Sequence, residues 1–414
     1  MNTRHREIPE IVVVGAGLAG LACALDLCRA GRCVALLEAS DGVGGRMRTD
    51  RRDGFKLDRG FQVFNTSYPQ VKRRLDLRRL QLKPFTPGII AHTSTGPIRL
   101  ADPIRRPKSA GSLLPGRFLA PRDLAALARL TARDALLPAG CLKGLPDSST
   151  SAALARAGLS AEMVTEILRP FLAGVFLEDQ LETSARVFHL VWRSMVRGTL
   201  CLPADGIGAV PSQMADALPD DVLRLETPVT KVTSSGVLLG EDELSARYVV
   251  VATDASSAAL LLPGLAVPES RTVTTYYHAA ARTPLAEPTL LVDGSSKVLN
   301  TCVLTEVAPT YAPPGISLVS TSALGTDGPG AGAVVLRRLS DLYSTDTSGW
   351  QQVCVHTVAG ALPAMMPPWP LSRTTRFAPG RYVCGDHRAT GSVQGALASG
   401  TRAAREVLSD LARG

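Results

Sequence analysis

Three glycines near the start of the chain, Gly15, Gly17 and Gly20, have the spacing Gly-x-Gly-x-x-Gly. In such a motif the first glycine permits a tight turn, the second lets the backbone approach a pyrophosphate, and the third lets a helix pack closely on a strand. A helix that begins in this loop offers free N–H groups and the positive end of its dipole to phosphate oxygens. The chemistry expected here is the binding of a dinucleotide, and Leu18 and Ala19 complete the binding motif.

The segments around these glycines have the patterns of the elements that must position them. Ile11 to Val14 is a β-branched run typical of a buried strand, and Leu21 to Ala30 has helix-forming character. Cys33 to Leu37 is a second apolar strand, and it ends at Glu38, whose carboxylate is placed to accept hydrogen bonds from ribose hydroxyls. Glycine clusters often arise by chance, but strand, motif, helix, strand and terminal acid together predict a dinucleotide-binding βαβ unit.

The residues after Glu38 indicate which dinucleotide is bound. The stretch Ala39-Ser-Asp-Gly-Val-Gly44-Gly45-Arg46 resembles the extended FAD fingerprint of the flavin-containing amine oxidase superfamily, which includes protoporphyrinogen oxidases and phytoene desaturases. The resemblance implies that Gly44 and Gly45 lie near the pyrophosphate and that Arg46 lies near the phosphates and the flavin. It also implies that Ala39 belongs to the cofactor-binding set.

Two distant segments extend the same resemblance. Val229 precedes a predicted hairpin, and the resemblance implies that its backbone pairs with the adenine edge. A predicted strand near the C-terminus ends in Gly385-Asp386, where the acid is implied to bind the ribityl chain. Ser392 and Val393 open a predicted helix, whose N-terminus is implied to point at the flavin N1–C2=O edge, where negative charge develops on reduction.

The order of these segments predicts the fold class and the domain organisation. We expect an α/β protein with a Rossmann-type FAD-binding domain that is built from discontinuous segments, together with a mixed α+β substrate-binding domain. The predicted FAD-binding domain comprises residues 1–65, 200–261 and 375–414. The predicted substrate-binding domain comprises residues 66–199 and 262–374.

Composition limits the classes of partner. The 414 residues include 45% hydrophobic and 20% charged residues, and we expect a soluble protein because no uncharged apolar run is long enough to span a bilayer. The start of the chain does not have the pattern of a secretory signal, which favours a cytoplasmic location. The net charge of +8 is not accompanied by interleaved aromatic residues or a nucleic-acid motif, so no nucleic-acid partner is expected. The leucines at 124, 127 and 130 are interpreted as core, with attachment to a membrane surface as the less favoured alternative.

The eight cysteines include no Cys-x-x-Cys pair, and no Cys/His cluster has the spacing of a metal site. We therefore expect reduced cysteines and no metal. Cys384 lies inside the predicted C-terminal strand and not at the position that the related covalent flavoenzymes use. The resemblance thus implies noncovalent FAD.

The substrate segments contain few residues of evident chemistry. Trp369, just before the C-terminal strand, is a candidate to pack against the face of the flavin ring. Tyr277 and His387 are further catalytic candidates. Trp192 and His278 are additional pocket candidates, although each of these residues has an ordinary structural alternative. The chain lacks the tyrosine pair that forms the aromatic cage of monoamine oxidases. The lysine that many relatives place near flavin N5 has no clear counterpart, although Lys297 lies in the corresponding region.

These features predict a two-electron oxidation, in which a hydride passes from a small organic substrate to flavin N5. An amine oxidised at its C–N bond is the favoured substrate, and dioxygen or a quinone is the expected electron acceptor. The glycine-rich stretch 325–332 lacks the features of a second nucleotide loop, which argues against electrons supplied by NADPH. The alternatives are a C–C desaturase of a lipophilic substrate, a redox-neutral flavin-dependent isomerase or cyclase, and a flavin-free escort-type binding protein.

Overall fold

The computed structural model of the protein describes residues 8–101, 105 and 120–413. Its strands are β1 Ile11–Val14, β2 Val34–Leu37, β3 Thr49–Arg52, β4 Phe55–Asp58, β5 Phe64–Asn65, β6 Lys83–Pro84, β7 Gly88–Thr93, β8 Gly96–Ala101, β9 Leu200–Leu202, β10 Leu223–Arg224, β11 Lys231–Val232, β12 Gly236–Leu239, β13 Asp242–Ser245, β14 Tyr248–Val251, β15 Ser270–Ala280, β16 Leu290–Asp293, β17 Asn300–Val303, β18 Ser317–Leu324, β19 Gln351–Pro363, β20 Arg376–Ala378 and β21 Arg381–Val383. Its helices are α1 Leu18–Arg29, α2 Pro69–Arg74, α3 Pro121–Leu136, α4 Ala139–Lys143, α5 Thr150–Arg156, α6 Ala161–Met163, α7 Arg169–Phe176, α8 Ala185–Arg197, α9 Ala209–Ala215, α10 Ala255–Leu261, α11 Leu304–Val307, α12 Ala331–Tyr343 and α13 Val393–Leu411.

A six-stranded sheet brings the distant cofactor segments together in the order β10-β2-β1-β14-β21-β20. The first five strands run parallel, and β20 closes the edge as an antiparallel strand. Strands β1 and β14 are buried at every position, as their unbroken apolar runs require of strands that are covered on both faces. The glycine motif follows the carboxyl end of β1, which is the edge where open α/β sheets bind ligands.

Helices α1 and α13 cover one face of this sheet. Ile11 and Val13 point into the core that these helices share, while Val12 and Val14 point into a second core on the opposite face. A Cβ atom at Gly400 of α13 would overlap the carbonyl oxygen of Ala19 in α1. The close approach of the two helices therefore depends on a glycine at this position.

A second sheet of seven strands has the order β19-β15-β18-β17-β16-β7-β8 and is antiparallel except for the β16–β7 pair. Helix α12 packs on one face, against a core that includes Tyr276 and Tyr343. The opposite face contributes Tyr277 to a core shared with Leu57 of β4, so it lies against the cofactor segments. Helices α3, α5, α6, α7 and α8 pack beside this sheet in a separate apolar core.

The predicted α/β fold, with a Rossmann-type sheet assembled from discontinuous segments, is confirmed. The residues between Tyr68 and Leu82, including α2, pack in the same core as α1 and α13. Within residues 8–101 and 120–413, no helix is long and apolar enough to cross a bilayer. The same residues contain no group of histidine, cysteine and acidic side chains arranged to hold a metal ion.

Candidate cofactor and active site

The glycine motif forms a tight turn between β1 and α1. Gly15 has a φ of +99°, and its N–H donates to the carbonyl oxygen of Leu37 at 2.7 Å, which ties the turn to β2. A Cβ atom at Gly20 would overlap the carbonyl oxygen of Gly15, so the helix can pack this closely only with glycine there. At Gly17, in contrast, a Cβ atom would meet no heavy atom within 4 Å. The space beside Gly17 is therefore open.

Helix α1 begins in this open space with its first N–H groups uncapped. Gly17 is the N-cap residue and provides no side-chain oxygen, and the first turn, which contains Leu18 and Ala19, has no acidic residue. Uncapped N–H groups at a helix N-terminus are unsatisfied donors, and together with the helix dipole they favour a bound anion.

Glu38 lies directly beside the glycine turn, at the end of β2. Its carboxylate accepts hydrogen bonds from the Ala16 N–H at 2.7 Å, from the Ser40 N–H at 3.0 Å and from the Ser40 hydroxyl at 2.7 Å. These donors hold the carboxylate next to the turn. Ala39 follows it in the loop toward the second pair of glycines.

The second glycine pair packs against the first motif. The Gly44 N–H donates to the carbonyl oxygen of Ala16 at 2.9 Å, and Gly44 has a φ of +112°. Gly45 has a φ of +58°, and a Cβ atom there would lie 3.7 Å from the Cα atom of Gly17. The loop from Gly15 to Gly20 and the loop at Gly44 and Gly45 thus form one surface of backbone atoms, here called the cradle. Side chains at these positions would fill its open space.

Arg46 joins the cofactor segments to β19. Its guanidinium forms an ion pair with Asp386 at 2.7 Å and donates to the carbonyl oxygens of Ala361 at 2.8 Å and Gly360 at 3.2 Å. The nearby carboxylate of Asp386 raises the pKa of Arg46 above its ordinary value. The sequence placed both residues near the flavin but gave no indication of their contact with each other or with β19.

The C-terminal segment presents a second helix start close to the cradle. The Ser392 side chain caps α13 by accepting a hydrogen bond from the Gly395 N–H at 3.0 Å, and Val393 is the first helical residue. Gly385, two residues after the end of β21, has a φ of +153°. The turn Asp386–Arg388 then leads into the helix.

Val229 lies two residues before β11, which begins at Lys231. Its side chain packs on the core beside β2 and β14. The segment is fixed to the cradle because the Thr227 N–H donates to the carbonyl oxygen of Glu38 at 2.8 Å. Val229 therefore lies two residues after a backbone contact with Glu38.

Two of the three catalytic candidates lie near this site. Trp369 is 4% exposed, and its indole N–H donates to the carbonyl oxygen of Ala389 at 2.7 Å. His387 is buried, and neither ring nitrogen has a hydrogen-bond partner among the described residues. Burial lowers the pKa of His387 to about 4, so its imidazole is neutral at pH 7. A small cavity lies between His387, Asp386, Arg46 and Asp254.

The remaining aromatic and basic candidates have other surroundings. The Tyr277 hydroxyl donates to the backbone carbonyl of Asp58 at 2.7 Å, while His278 packs near Trp350 on the α12 side of the sheet. Trp192 packs against phenylalanines of the helical core. Lys297 lies beside α12, away from the cradle.

Leu362, Pro363 and Met365 form an apolar surface beside the C-terminal turn, here called the apolar wall. The sequence did not predict it. A Cβ atom at Gly391 would lie 2.9 Å from Leu362, 3.1 Å from Pro363 and 3.1 Å from Met365. Leu362 directly follows Ala361, which binds Arg46. Apolar residues at the end of a long strand match no functional motif, so the sequence could not predict this surface. The fold alone places them beside the C-terminal turn.

A buried carboxylate, Asp58, connects the cofactor segments to the second sheet. It is 3% exposed, and it accepts hydrogen bonds from the Thr49 hydroxyl at 2.5 Å, the Ile207 N–H at 2.9 Å and the Tyr311 hydroxyl at 3.1 Å. Burial raises the pKa of Asp58 to about 6 in spite of these donors.

The raised pKa of Asp58 predicts a pH-dependent stability. Between its ordinary pKa of 3.8 and about 6 the folded protein binds more protons than the unfolded chain. The free energy of unfolding should therefore fall by about 3 kcal/mol as pH rises through this window, and Asp58 should contribute no further change above it. Urea unfolding from pH 4 to 8 of the wild type and of Asp58→Asn measures this contribution. A difference between the two proteins that is constant over this range would contradict it.

The cradle fits a dinucleotide with two phosphates. It combines an uncapped helix start, open space at Gly17, backbone close to backbone at Gly45 and a fixed carboxylate at Glu38. The sequence profile of the family described as flavin-containing amine oxidoreductase matches residues 18–408 of the chain. The chain belongs to this family. Membership of this flavin-containing family, which the sequence predicted, is thereby confirmed.

Individual family members resemble the chain over different lengths. A hydroxyneurosporene desaturase from Cereibacter sphaeroides is 62% identical over 42 residues, which are 10% of this chain and 8% of that protein. An L-amino acid oxidase from Crotalus durissus cumanensis is 41% identical over 84 residues, 20% of this chain and 16% of that protein. The chain thus matches only short parts of these relatives.

Similarity of fold extends over the whole chain. The cyclohexylamine oxidase from Brevibacterium oxydans superimposes with a TM-score of 0.73 at 16% identity, covering 97% of this chain and 99% of that one. The family's shared fold is therefore present in full, while the substrate has to be inferred from the site.

Proposed function

We propose that this flavoenzyme oxidises a small amine by two electrons, taking a hydride from the carbon next to the nitrogen. The observation that carries this proposal is the apolar wall of Leu362, Pro363 and Met365, which lies directly beside the Arg46–Asp386 pair. An apolar pocket disfavours the charged form of a basic group. The wall would therefore bind the amine in its neutral form, which is the form that can give up hydride.

The chain's own groups would hold the cofactor in the cradle. We propose that Gly15, Gly17 and Gly20 with the α1 N-terminus hold the pyrophosphate, together with Gly44 and Gly45. In the same proposal Glu38 binds the adenosine ribose, the Val229 backbone binds the adenine edge, and Ser392 and Val393 present the α13 N-terminus to the flavin. When bound, FAD supplies the two-electron acceptor, at N5.

Among the described residues, the titratable groups of the cavity that Pro363 lines are poorly suited to remove a proton from the substrate. The Asp254 carboxylate is engaged as the cap of α10, where it accepts hydrogen bonds from the Ser256 and Ser257 N–H groups and the Ser257 hydroxyl. His387 has its pKa lowered to about 4 by burial, and the carboxylate of Asp386 is engaged by Arg46. Hydride transfer from a neutral amine needs placement of the reacting carbon more than it needs proton transfer. This supports a role for Trp369 and the wall in orienting the substrate and excluding water.

The surroundings of Cys384 bear on how the flavin is attached. Burial raises the pKa of the Cys384 thiol to about 12, so this cysteine stays protonated at neutral pH and is a poor nucleophile. We therefore propose that FAD is held without a covalent bond. Dioxygen or a quinone would be the electron acceptor.

A second candidate is the desaturation of a C–C bond in a lipophilic substrate. Leu362, Pro363 and Met365 provide neither an aromatic pair nor a charged group for an amine nitrogen, and a polyene would find the same wall favourable. The two candidates differ in their products. An amine gives an imine that hydrolyses to a carbonyl compound, whereas a desaturase lengthens a conjugated system and changes its absorption spectrum.

The variant Leu362→Glu tests the role of the wall. A carboxylate here would stabilise the protonated amine, so flavin reduction at pH 7 should slow by at least about tenfold and its pH profile should shift to higher pH. Rapid-mixing measurements of flavin reduction give both quantities. Leu260→Glu is the matched control because the Leu260 side chain is 82% exposed, and it should leave both unchanged. Equal behaviour of the two variants would contradict the assignment of the wall.

A further inference from the structure

Three arginines converge beside the turn Asp386–Arg388, outside the cradle. The Arg402 guanidinium donates to the carbonyl oxygen of Arg373 at 3.0 Å, and the Arg388 guanidinium donates to the carbonyl oxygen of Thr374 at 2.8 Å. The backbone completes the cluster because the Arg373 N–H donates to the carbonyl oxygen of Arg388 at 3.1 Å. The Arg373 guanidinium stacks over the Trp369 ring, 5.0 Å from its centroid.

This cluster carries positive charge without matching negative charge. None of the three arginines is ion-paired with a carboxylate among the described residues. The nearest acid, Glu406, accepts hydrogen bonds from the Thr375 N–H at 2.9 Å and the Thr375 hydroxyl at 2.7 Å, and its ion pair is with Arg376. Asp410 is also paired with Arg376, at 2.8 Å. The acids of this region are thus already engaged.

The arginine donors are also incompletely used. The Nε atoms of Arg373 and Arg388 are buried and have no hydrogen-bond partner within the described part of the chain. Burial lowers the pKa of Arg388, and the neighbouring charges of Arg373 and Arg402 lower it further, while the Glu406 carboxylate offsets only part of this lowering. Buried donors without acceptors and like charges held together both cost free energy, and an oxyanion would relieve both costs.

We propose that Arg373, Arg388 and Arg402 form a binding site for an oxyanion of the phosphate class. A guanidinium presents a planar fork of N–H donors that matches the oxygens of phosphate, and three such groups suit a multiply charged anion. The site is distinct from the cradle, whose phosphate donors are backbone N–H groups. Because Arg388 shares a turn with Asp386, an anion here would also fix the turn that carries the flavin-site acid.

Calorimetry on the FAD-loaded enzyme tests the site with inorganic phosphate at constant ionic strength, so that the cofactor already fills the cradle. We expect phosphate to bind, and Arg388→Gln to weaken binding by at least about tenfold. Arg402→Gln is the second variant if Arg388→Gln does not fold. Arg32→Gln removes the same charge at an exposed position far from the cluster in sequence and should bind phosphate as the wild type does.

The anion has two plausible sources, free phosphate and a phosphate headgroup on a lipid surface, and a second arm separates them. Sedimentation with phosphatidylcholine vesicles that contain phosphatidic acid measures headgroup binding. Binding of phosphate that is lost in Arg388→Gln or Arg402→Gln supports a free anion. Binding of vesicles alone, lost in the same variants, supports a headgroup. Absence of both, or binding that neither variant weakens, would overturn the proposal.

Discussion

Gly17→Ala should leave the folded protein as stable as the wild type while its affinity for FAD falls by at least about tenfold, or about 1.4 kcal/mol. The reason is that a Cβ atom at Gly17 meets no heavy atom of the protein within 4 Å, and the backbone φ of −70° suits alanine. The added methyl group would instead occupy the open space of the cradle. Fluorescence titration of the apoprotein with FAD and urea unfolding of the apoprotein measure the two quantities.

Gly20→Ala is the matched comparison. Its Cβ atom would overlap the carbonyl oxygen of Gly15, so this variant should lower the stability of the apoprotein itself, by about 1–3 kcal/mol. We therefore expect the two substitutions to have different effects. Gly17→Ala should lower FAD affinity without lowering stability, whereas Gly20→Ala should lower the stability of the fold. Unchanged FAD affinity in Gly17→Ala would contradict the placement of the pyrophosphate.

Arg46→Ala is expected to have the second large effect, on both cofactor affinity and stability. It removes an ion pair with Asp386 and two hydrogen bonds to β19, and it leaves the Asp386 carboxylate, which is 9% exposed, without its cation. Because the Arg46 side chain is 33% exposed, we expect less than the full cost of breaking a buried pair, about 1–3 kcal/mol in the free energy of unfolding.

A double-mutant cycle isolates this pair. In Arg46→Ala/Asp386→Asn the unpaired charge is gone, so part of the lost stability should return, with a coupling energy of about 1 kcal/mol or more. Urea unfolding of the apoproteins gives the four values that the cycle needs. Additive effects of the two substitutions would show that the pair does not couple the cofactor segments.

The nucleotide-binding half of the fold could be predicted because its requirements are local. Gly15, Gly17 and Gly20 are spaced by the geometry of one turn, and Glu38 is placed by the end of one strand, so a short window of sequence contains the whole constraint. A dinucleotide site could accordingly be predicted from residues 11–38, and the resemblance of residues 39–46 to the family's fingerprint implied FAD. The structure adds the distinction between Gly20, which the fold needs, and Gly17, where the space is open.

The substrate side could not be predicted because its contacts are long-range and use chemically ordinary groups. Arg46 binds the backbone carbonyls of Gly360 and Ala361, and every residue has a carbonyl, so no sequence pattern marks these acceptors. Leu362 acquires its place only because β19 pairs along β15. The predicted catalytic role of Tyr277 remains a prediction, and its hydroxyl is engaged by the backbone of Asp58.

The most direct test of the proposed reaction is anaerobic mixing of the purified enzyme with a series of small primary amines, followed by absorption at about 450 nm, where oxidised flavin absorbs. The account predicts that at least one amine bleaches this band fully and that the rate rises with pH as the amine loses its proton. Bleaching by a polyene but by no amine would contradict the proposed substrate and favour the desaturase. A protein that neither contains flavin nor takes it up would contradict the account as a whole.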